Sequence, residues 1–454
     1  MCEVSVNNQD WIMKNLKERL LTKDYVFVMC SSVGISFMNF FFAPTLALYI
    51  IDIHGGTAAQ VGILSLVYSL SALILRPISG VLSDKFGRVK LLIVGAATCT
   101  VMTVLFGLAG AIATLMFIRA IQGIGFALHS TCAGAVAGDV LPKSRLAEGI
   151  GIFGLGATVA QAFGPMIALA IVRSRDAYGN SVVGTLADFR MLFFIMAAMC
   201  LLSTIANCCI TYERKRKKQA AQADIDVWAE EQMSESMSLP MDAPAEAAES
   251  EEPLPKTILG FEYAVFAPVI VLVFTFIATS GIALFLVPFA EIKGFGNVAG
   301  VYFLISALGV FISRMIFGRI ADKRGNDIII IPSLALLAIG LLVLPLIRSE
   351  TEFLLLAFLS GLAQGAAMPT FNSLIFKRCS AARRGTASGA YFMPIDIGFM
   401  VGPLMFGIIS DVFDPRYIFW GSGISVTLAL ALYILISSDK RYNAMLKRKK
   451  LPMQ

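Results

Sequence analysis

The chain has 454 residues, of which 57% are hydrophobic and only 15% charged, with a formal net charge of +6. That balance excludes a soluble globular fold with a water-facing surface and makes lipid the solvent. Backbone polar groups in hydrocarbon must be satisfied within their own segment, and no alternating ten-residue pattern suggests a barrel, so the apolar runs are expected to be helices.

In chain order, the first 23 residues show no apolar core with a small-residue cleavage site, so no cleavable signal peptide is expected. Trp11, Ile12, Leu16, Leu20 and Leu21 are interleaved with Lys14, Lys17, Arg19 and Lys23, which suits an interfacial helix or a solvated lead-in equally. A helix crosses about 30 Å of hydrocarbon with roughly 20 residues. On that measure twelve spans are predicted, at 25–51, 58–82, 91–110, 112–139, 148–172, 190–211, 262–291, 297–320, 328–347, 352–376, 386–411 and 417–437. Between the sixth and seventh, Arg214 to Lys218 is basic and Gln219 to Pro255 is rich in Ala, Ser, Glu and Pro, a composition that builds no core. It reads as a linker with room for a short helix around Trp228, and a docking site for another protein is the alternative. The expected units are an N-terminal segment (1–24), a six-helix bundle (25–211), the linker (212–258), a second bundle (259–437) and a tail (438–454).

The chain is duplicated. RPISGVLSDKFGR, from Arg76 to Arg88, returns as RMIFGRIADKRGN from Arg314 to Asn326. Arg76, Gly80, Asp84, Lys85 and Gly87 thus reappear as Arg314, Gly318, Asp322, Lys323 and Gly325, each 238 positions later. The same step carries Arg145 onto Arg383, Gly151 onto Gly389, Phe153 onto Tyr391 and Gly164–Pro165 onto Gly402–Pro403. Parallel repeats of this length are a known construction of secondary transporters. Gln122–Gly123 and Gln364–Gly365 also look like mates, although their spacing of 242 implies a four-residue insertion.

Basic residues give the orientation. Of 37 Lys and Arg, 28 fall in the two tails and on the loops of the same side, six on the opposite loops, and Arg76, Arg119 and Arg314 inside spans. This bias predicts both termini and the linker in the cytoplasm and makes the positive balance a topology signal rather than a nucleic-acid footprint. Cysteines 30, 99, 132, 200, 208 and 209 lie in apolar runs and read as small packing residues.

Twelve spans in two parallel halves, with Gly80-Val-Leu-Ser-Asp84-Lys-Phe-Gly87-Arg88 after the second, resemble the major facilitator superfamily. The likeness covers the chain apart from tails and linker. It implies an all-α membrane protein of two six-helix bundles related by a pseudo-two-fold axis, acting on a small molecule in the bilayer. Neither a cofactor nor a nucleic-acid partner is implied, and one chain is expected to suffice. Leu115-Met-Phe-Ile-Arg119-Ala-Ile-Gln122-Gly123-Ile-Gly125 is similar to the span-four motif of the drug:proton antiporter branch, whose arginine is linked to proton coupling. Gly154 to Pro165, GLGATVAQAFGP, is similar to its span-five motif, with Ala168–Leu169 where that branch has glycines. The resemblance implies gating roles for Gly80, Asp84, Gly87 and Arg88, for Asp322 in the second copy, and for Asp139 as the acid completing the charge relay. It also makes Gly164, Pro165, Gly402 and Pro403 hinge positions. For Asp84 and Asp139 the alternative is an ordinary helix-end acid.

Charge inside a span costs about 2.5–3.5 kcal/mol per group even on the lenient insertion scale, so something must offset it. Asp396, in span eleven, stands at the repeat position of Thr158 and is therefore not part of the duplicated scaffold. Pro394, Gly398, Gly402 and Pro403 flank it and loosen the helix. Asp396 is expected to be the protonation site or the counter-charge of a cationic substrate, with Arg119 biasing it or orienting substrate. A structural ion pair between helices is the alternative. His129 lies ten residues beyond Arg119 on the same helix face and is either a proton carrier or a packed residue. Gln122, Gln161, Gln364, Asn372 and Tyr391 are candidates to line a midplane cavity, with interhelical hydrogen bonds as the alternative.

The leading expectation is a proton-coupled exporter of small amphipathic or drug-like molecules. The alternatives are a symporter or facilitator for metabolite uptake and a receptor or scaffold without transport. An enzyme is the weakest option: the chain has two histidines, His54 and His129, and no metal cluster, nucleophile elbow or phosphate loop.

Overall fold

The computed structural model describes residues 21–142, 145–175, 181–213, 257–258, 261–378 and 384–438. The expected N-terminal interfacial segment, the linker core with Trp228 and the C-terminal tail lie outside them.

Among the described residues, twelve helices are long and apolar enough to cross a membrane. In the first half they are α1 (Lys23–Leu48, prolonged by a wider turn, Tyr49–Ile53), α2 (Ala58–Phe86), α3 (Arg88–Leu108), α4 (Ile112–Val140), α5 (Leu146–Val172) and α6 (Leu186–Cys208). The second half supplies α7 (Tyr263–Ile292), α8 (Ala299–Arg324), α9 (Asp327–Val343), α10 (Glu350–Arg378), α11 (Arg384–Val412) and α12 (Arg416–Leu432, continued through Tyr433–Ser437). Two small antiparallel ladders also form, β1 (Arg173–Arg175) with β2 (Ser181–Val183) and β3 (Thr257–Ile258) with β4 (Phe261–Glu262). They are loop and linker features, too short to span.

Local chemistry sets the ends. Thr57 and Gln60 form a reciprocal capping box that starts α2, and Thr185 with Asp188 does the same for α6. The α2–α3 turn is a single residue, Gly87, at φ +97°, and its repeat mate Gly325 stands at +90° between α8 and α9. Both positions lie where a β-carbon is disfavoured, which explains why glycine was kept in both copies.

Odd-numbered helices run away from the end that carries the termini, here called the terminal end; the opposite face is the far end. Within the halves, α2 packs on α4 and α8 on α10, each through a glycine pressed against backbone: Gly123 on Tyr68 and Gly361 on Ser306. These two contacts are related by 238 positions. The mate of Gly123 is therefore Gly361, and the four-residue insertion inferred from Gln364–Gly365 is not needed. Between the halves α2 meets α11, α5 meets α8 and α1 meets α7, a set that maps onto itself when the two halves are exchanged. The seams differ in tightness. Gly62 of α2 abuts the backbone of Pro403 and Leu404, whereas a β-carbon on its mate Gly300 would lie 3.7 Å from Met166 in ordinary contact.

Candidate functional site

Asp396 sits in the middle of α11, 5% exposed, with both carboxylate oxygens bound by Arg76 of α2. Arg76 Nε donates to one oxygen and Nη2 to the other at 3.1 Å, so the fork of the guanidinium meets the carboxylate at two points. Arg76 also approaches Ser130 Oγ at 3.4 Å and lies 5.3 Å from the Phe392 ring centroid. The pair ties one half of the molecule to the other.

The repeat mates of these two residues also meet. Arg314 of α8 donates to Thr158 Oγ1 of α5 at 2.6 Å. Tyr391 of α11 is near enough to Arg314 for the two to interact electrostatically. One seam thus carries an ion pair and the other an arginine on a neutral hydroxyl.

Arg119 does not join Asp396. It is 5% exposed and lies between the faces of Phe42 and Tyr68, 4.4 and 4.3 Å from their centroids. One terminal nitrogen donates to Gln122 Oε1 at 2.6 Å, while Nε has no acceptor. Gln122 in turn donates to Thr103 Oγ1 at 2.8 Å, so this candidate cavity residue spends its polar atoms inside its own half. His129 Nε2 is 2.9 Å from Ser31 Oγ of α1 and is buried. Arg119 and His129 do share a face, the one turned to α1. Gln161, Gln364 and Tyr391 are part-buried, as is Asn372, whose Oδ1 has no hydrogen-bond partner.

At the terminal end Arg88 binds Asp139 at 2.6 Å, and the Tyr212 hydroxyl donates to the same carboxylate at 3.1 Å. Burial and the neighbouring Asp139 both raise the Tyr212 phenol above its usual range. Glu213 accepts the Val89 amide at 3.0 Å at the start of α3, a favourable place for a carboxylate. The side chains of Asp84 and Asp322 lie outside the described residues. Gly80, Gly138 and Gly154 face open space here. Gly164 presses on Phe40, and Gly402 on Ile277 and Ser280 of α7. Pro165, Pro394 and Pro403 stand within their helices.

The far end is closed across the halves. Asp411 of α11 accepts the Ala58 and Ala59 amides at 2.9 and 2.8 Å, capping α2. Arg173, just past α5, binds Glu291 at 2.7 Å and donates to the Gly296 carbonyl. Burial lowers the basicity of Arg173, an effect the Glu291 charge opposes. Sequence reading missed Arg76 as the partner of Asp396, and Asp411, Arg173, Tyr212 and Glu213 altogether. Among the described residues no cluster of His, Cys, Asp and Glu could hold a metal ion.

A family profile described as Major Facilitator Superfamily matches residues 28–393 and 297–451. An uncharacterized MFS-type transporter of Methanocaldococcus jannaschii is 24% identical over 87% of this chain and 94% of its own length. Multidrug resistance protein MdtG of Proteus mirabilis is 25% identical over 87% of this chain and 90% of its own. Among solved structures, a D-xylose-proton symporter superposes with a TM-score of 0.71 at 14% identity, covering 92% of this chain and 98% of that one. A bacterial homologue of the human lysosomal transporter Spinster, inward-facing and unoccupied, gives 0.69 at 16% identity, over 95% and 99%. At these identities the structural likeness speaks for the fold alone.

Proposed function

The chain belongs to the Major Facilitator Superfamily and is a multi-pass membrane transporter, and on that premise we propose that it exports small amphipathic or drug-like molecules, coupled to inward proton flow by alternating access. The observation that carries this reading is the Arg76–Asp396 pair. Asp396 is the one acid deep within the spans, and its partner is a cation of the other half. A proton on Asp396 removes one of the two charges that hold α2 to α11. Losing one partner of a buried pair typically costs about 3–5 kcal/mol, enough to shift a conformational equilibrium decisively.

The skew of basic residues supports cytoplasmic termini, so the far end would face outward. The closed far end then supports a cytoplasm-open state. In that state Asp396 has released its proton inward and pairs with Arg76. Substrate loads from the cytoplasm, the halves rock, and a proton from outside neutralises Asp396 for the return. Arg88 and Asp139 fasten α3 to α4 within the first half, so that it moves as a unit. The MdtG relatives, named as multidrug resistance proteins, support the export direction.

The test is dye flux in reconstituted vesicles under an imposed pH gradient, with the sign of coupled movement recorded. Asp396→Asn should eliminate gradient-driven flux while eluting as a monodisperse protein. Full gradient-driven flux in that variant would remove Asp396 from the mechanism.

A further inference from the structure

The duplication shows where an acid is missing. Arg76 and Arg314 are mates, and Asp396 and Thr158 are mates, so the two seams were built on one plan. Only the α2–α11 seam carries a carboxylate. Deep in the spans the chain holds three arginines, Arg76, Arg119 and Arg314, against the single acid Asp396. Arg119 is sealed between two rings and Gln122, but Arg314 remains exposed.

We propose that Arg314, Thr158 and Tyr391 form the subsite for the carboxylate of an anionic or zwitterionic amphipathic substrate, which takes at Arg314 the position that Asp396 holds at Arg76. This inference rests on reading the chain as a small-molecule transporter. Arg314 lies on the helix face of the buried Ala307 and Val310, turned away from the exposed stripe of Leu308, Phe311 and Met315. Its hydrogen bond to Thr158 uses one of five N–H donors, and among the described residues no carboxylate pairs with it. The guanidinium fork suits a carboxylate at two points and the Tyr391 hydroxyl is a further donor, while Thr158, whose own proton goes to the Gly154 carbonyl at 3.3 Å, holds the arginine in place. Room exists beside Thr158, because Gly154, one turn earlier on α5, faces open space. Next to Tyr391, the exposed Phe392 offers its ring to the apolar body of the ligand and meets Tyr391 edge-on at 5.6 Å.

The experiment measures calorimetric binding of three matched probes to the purified full-length protein: p-butylbenzoate, its methyl ester and p-butylbenzylamine. The carboxylate should bind about tenfold or more tightly than the other two, the scale of one charge-assisted contact. Arg314→Gln should erase that preference. Thr158→Asp, which rebuilds the second ion pair and so keeps a partner for Arg314, should weaken carboxylate binding by about tenfold or more while leaving the ester unchanged. Equal or weaker binding of the carboxylate in the native protein, or undiminished binding in Thr158→Asp, overturns the proposal. So does failure of all three to bind. Dye flux measured in the same preparation then tells whether the transporter reading falls with it or stands alone.

Discussion

Asp411 and Arg173 are repeat mates of opposite charge, and each reaches from the end of its helix to the start of a helix in the other half. Asp411 takes the amides of Ala58 and Ala59, while Arg173 takes the carbonyl of Gly296, the mate of Ala58. The far-end closure is thus one contact made twice with reversed polarity. Asp411→Ala should remove about 1.5–3 kcal/mol from the closed state, the range for hydrogen bonds to a charged group. Spin labels at the exposed Ala187 and Ile292 should then show a longer distance component. A distribution unchanged in both Asp411→Ala and Arg173→Ala would refute the lock.

Exchanging the charges of the central pair tests it separately. Arg76→Gln leaves a buried carboxylate alone and should lower stability by about 3–5 kcal/mol. The double exchange Arg76→Asp with Asp396→Arg should regain part of that loss in a thermal melt. A double variant no more stable than Arg76→Gln would mean that the two side chains do not act as a pair.

Arg119→Lys keeps the charge but loses the flat group that lies between Phe42 and Tyr68. A drop of about 1–2 kcal/mol is expected, since a desolvated cation over a ring is worth about that much and an ammonium cannot stack on two faces. A melting temperature equal to that of the native protein would contradict the sandwich.

The glycines of the loop motif should part company on substitution. Gly87→Ala forces a β-carbon into a positive-φ turn and should cost about 1–3 kcal/mol. Gly80→Ala meets open space inside a helix, so the melt should not fall, and it should gain up to about 1 kcal/mol. Flux should nevertheless drop in Gly80→Ala, because the terminal end must close around that position in the other half of the cycle. Normal flux there would argue against closure at Gly80.

Much of the architecture was legible. Twenty-residue apolar runs and the 238-position step carry both the span boundaries and the symmetry, because hydrocarbon thickness and helix rise leave little freedom. The partner of Asp396 was not legible, because nothing in the sequence says that α2 faces α11; once that is known, the exchange of halves makes α8 face α5, and Arg76 and Arg314 fall opposite Asp396 and Thr158. Gln122 was not legible. Its place on a helix does not say whether its amide turns to a cavity or to Arg119 and Thr103, since that depends on helix rotation set by Gly123 packing on Tyr68. Asp411 was hidden because its ligands are backbone amides, which leave no mark on the residue types at 58 and 59.

The one-residue joint at Gly87 leaves α2 and α3 no slack. When α2 tilts, the first turn of α3 must be dragged along, and Glu213, holding the Val89 amide, is pulled with it. The chain leading out of α6 is therefore geared to any tilt of α2, and a binder clamped to the segment beyond Glu213 would act as a brake from outside the bilayer.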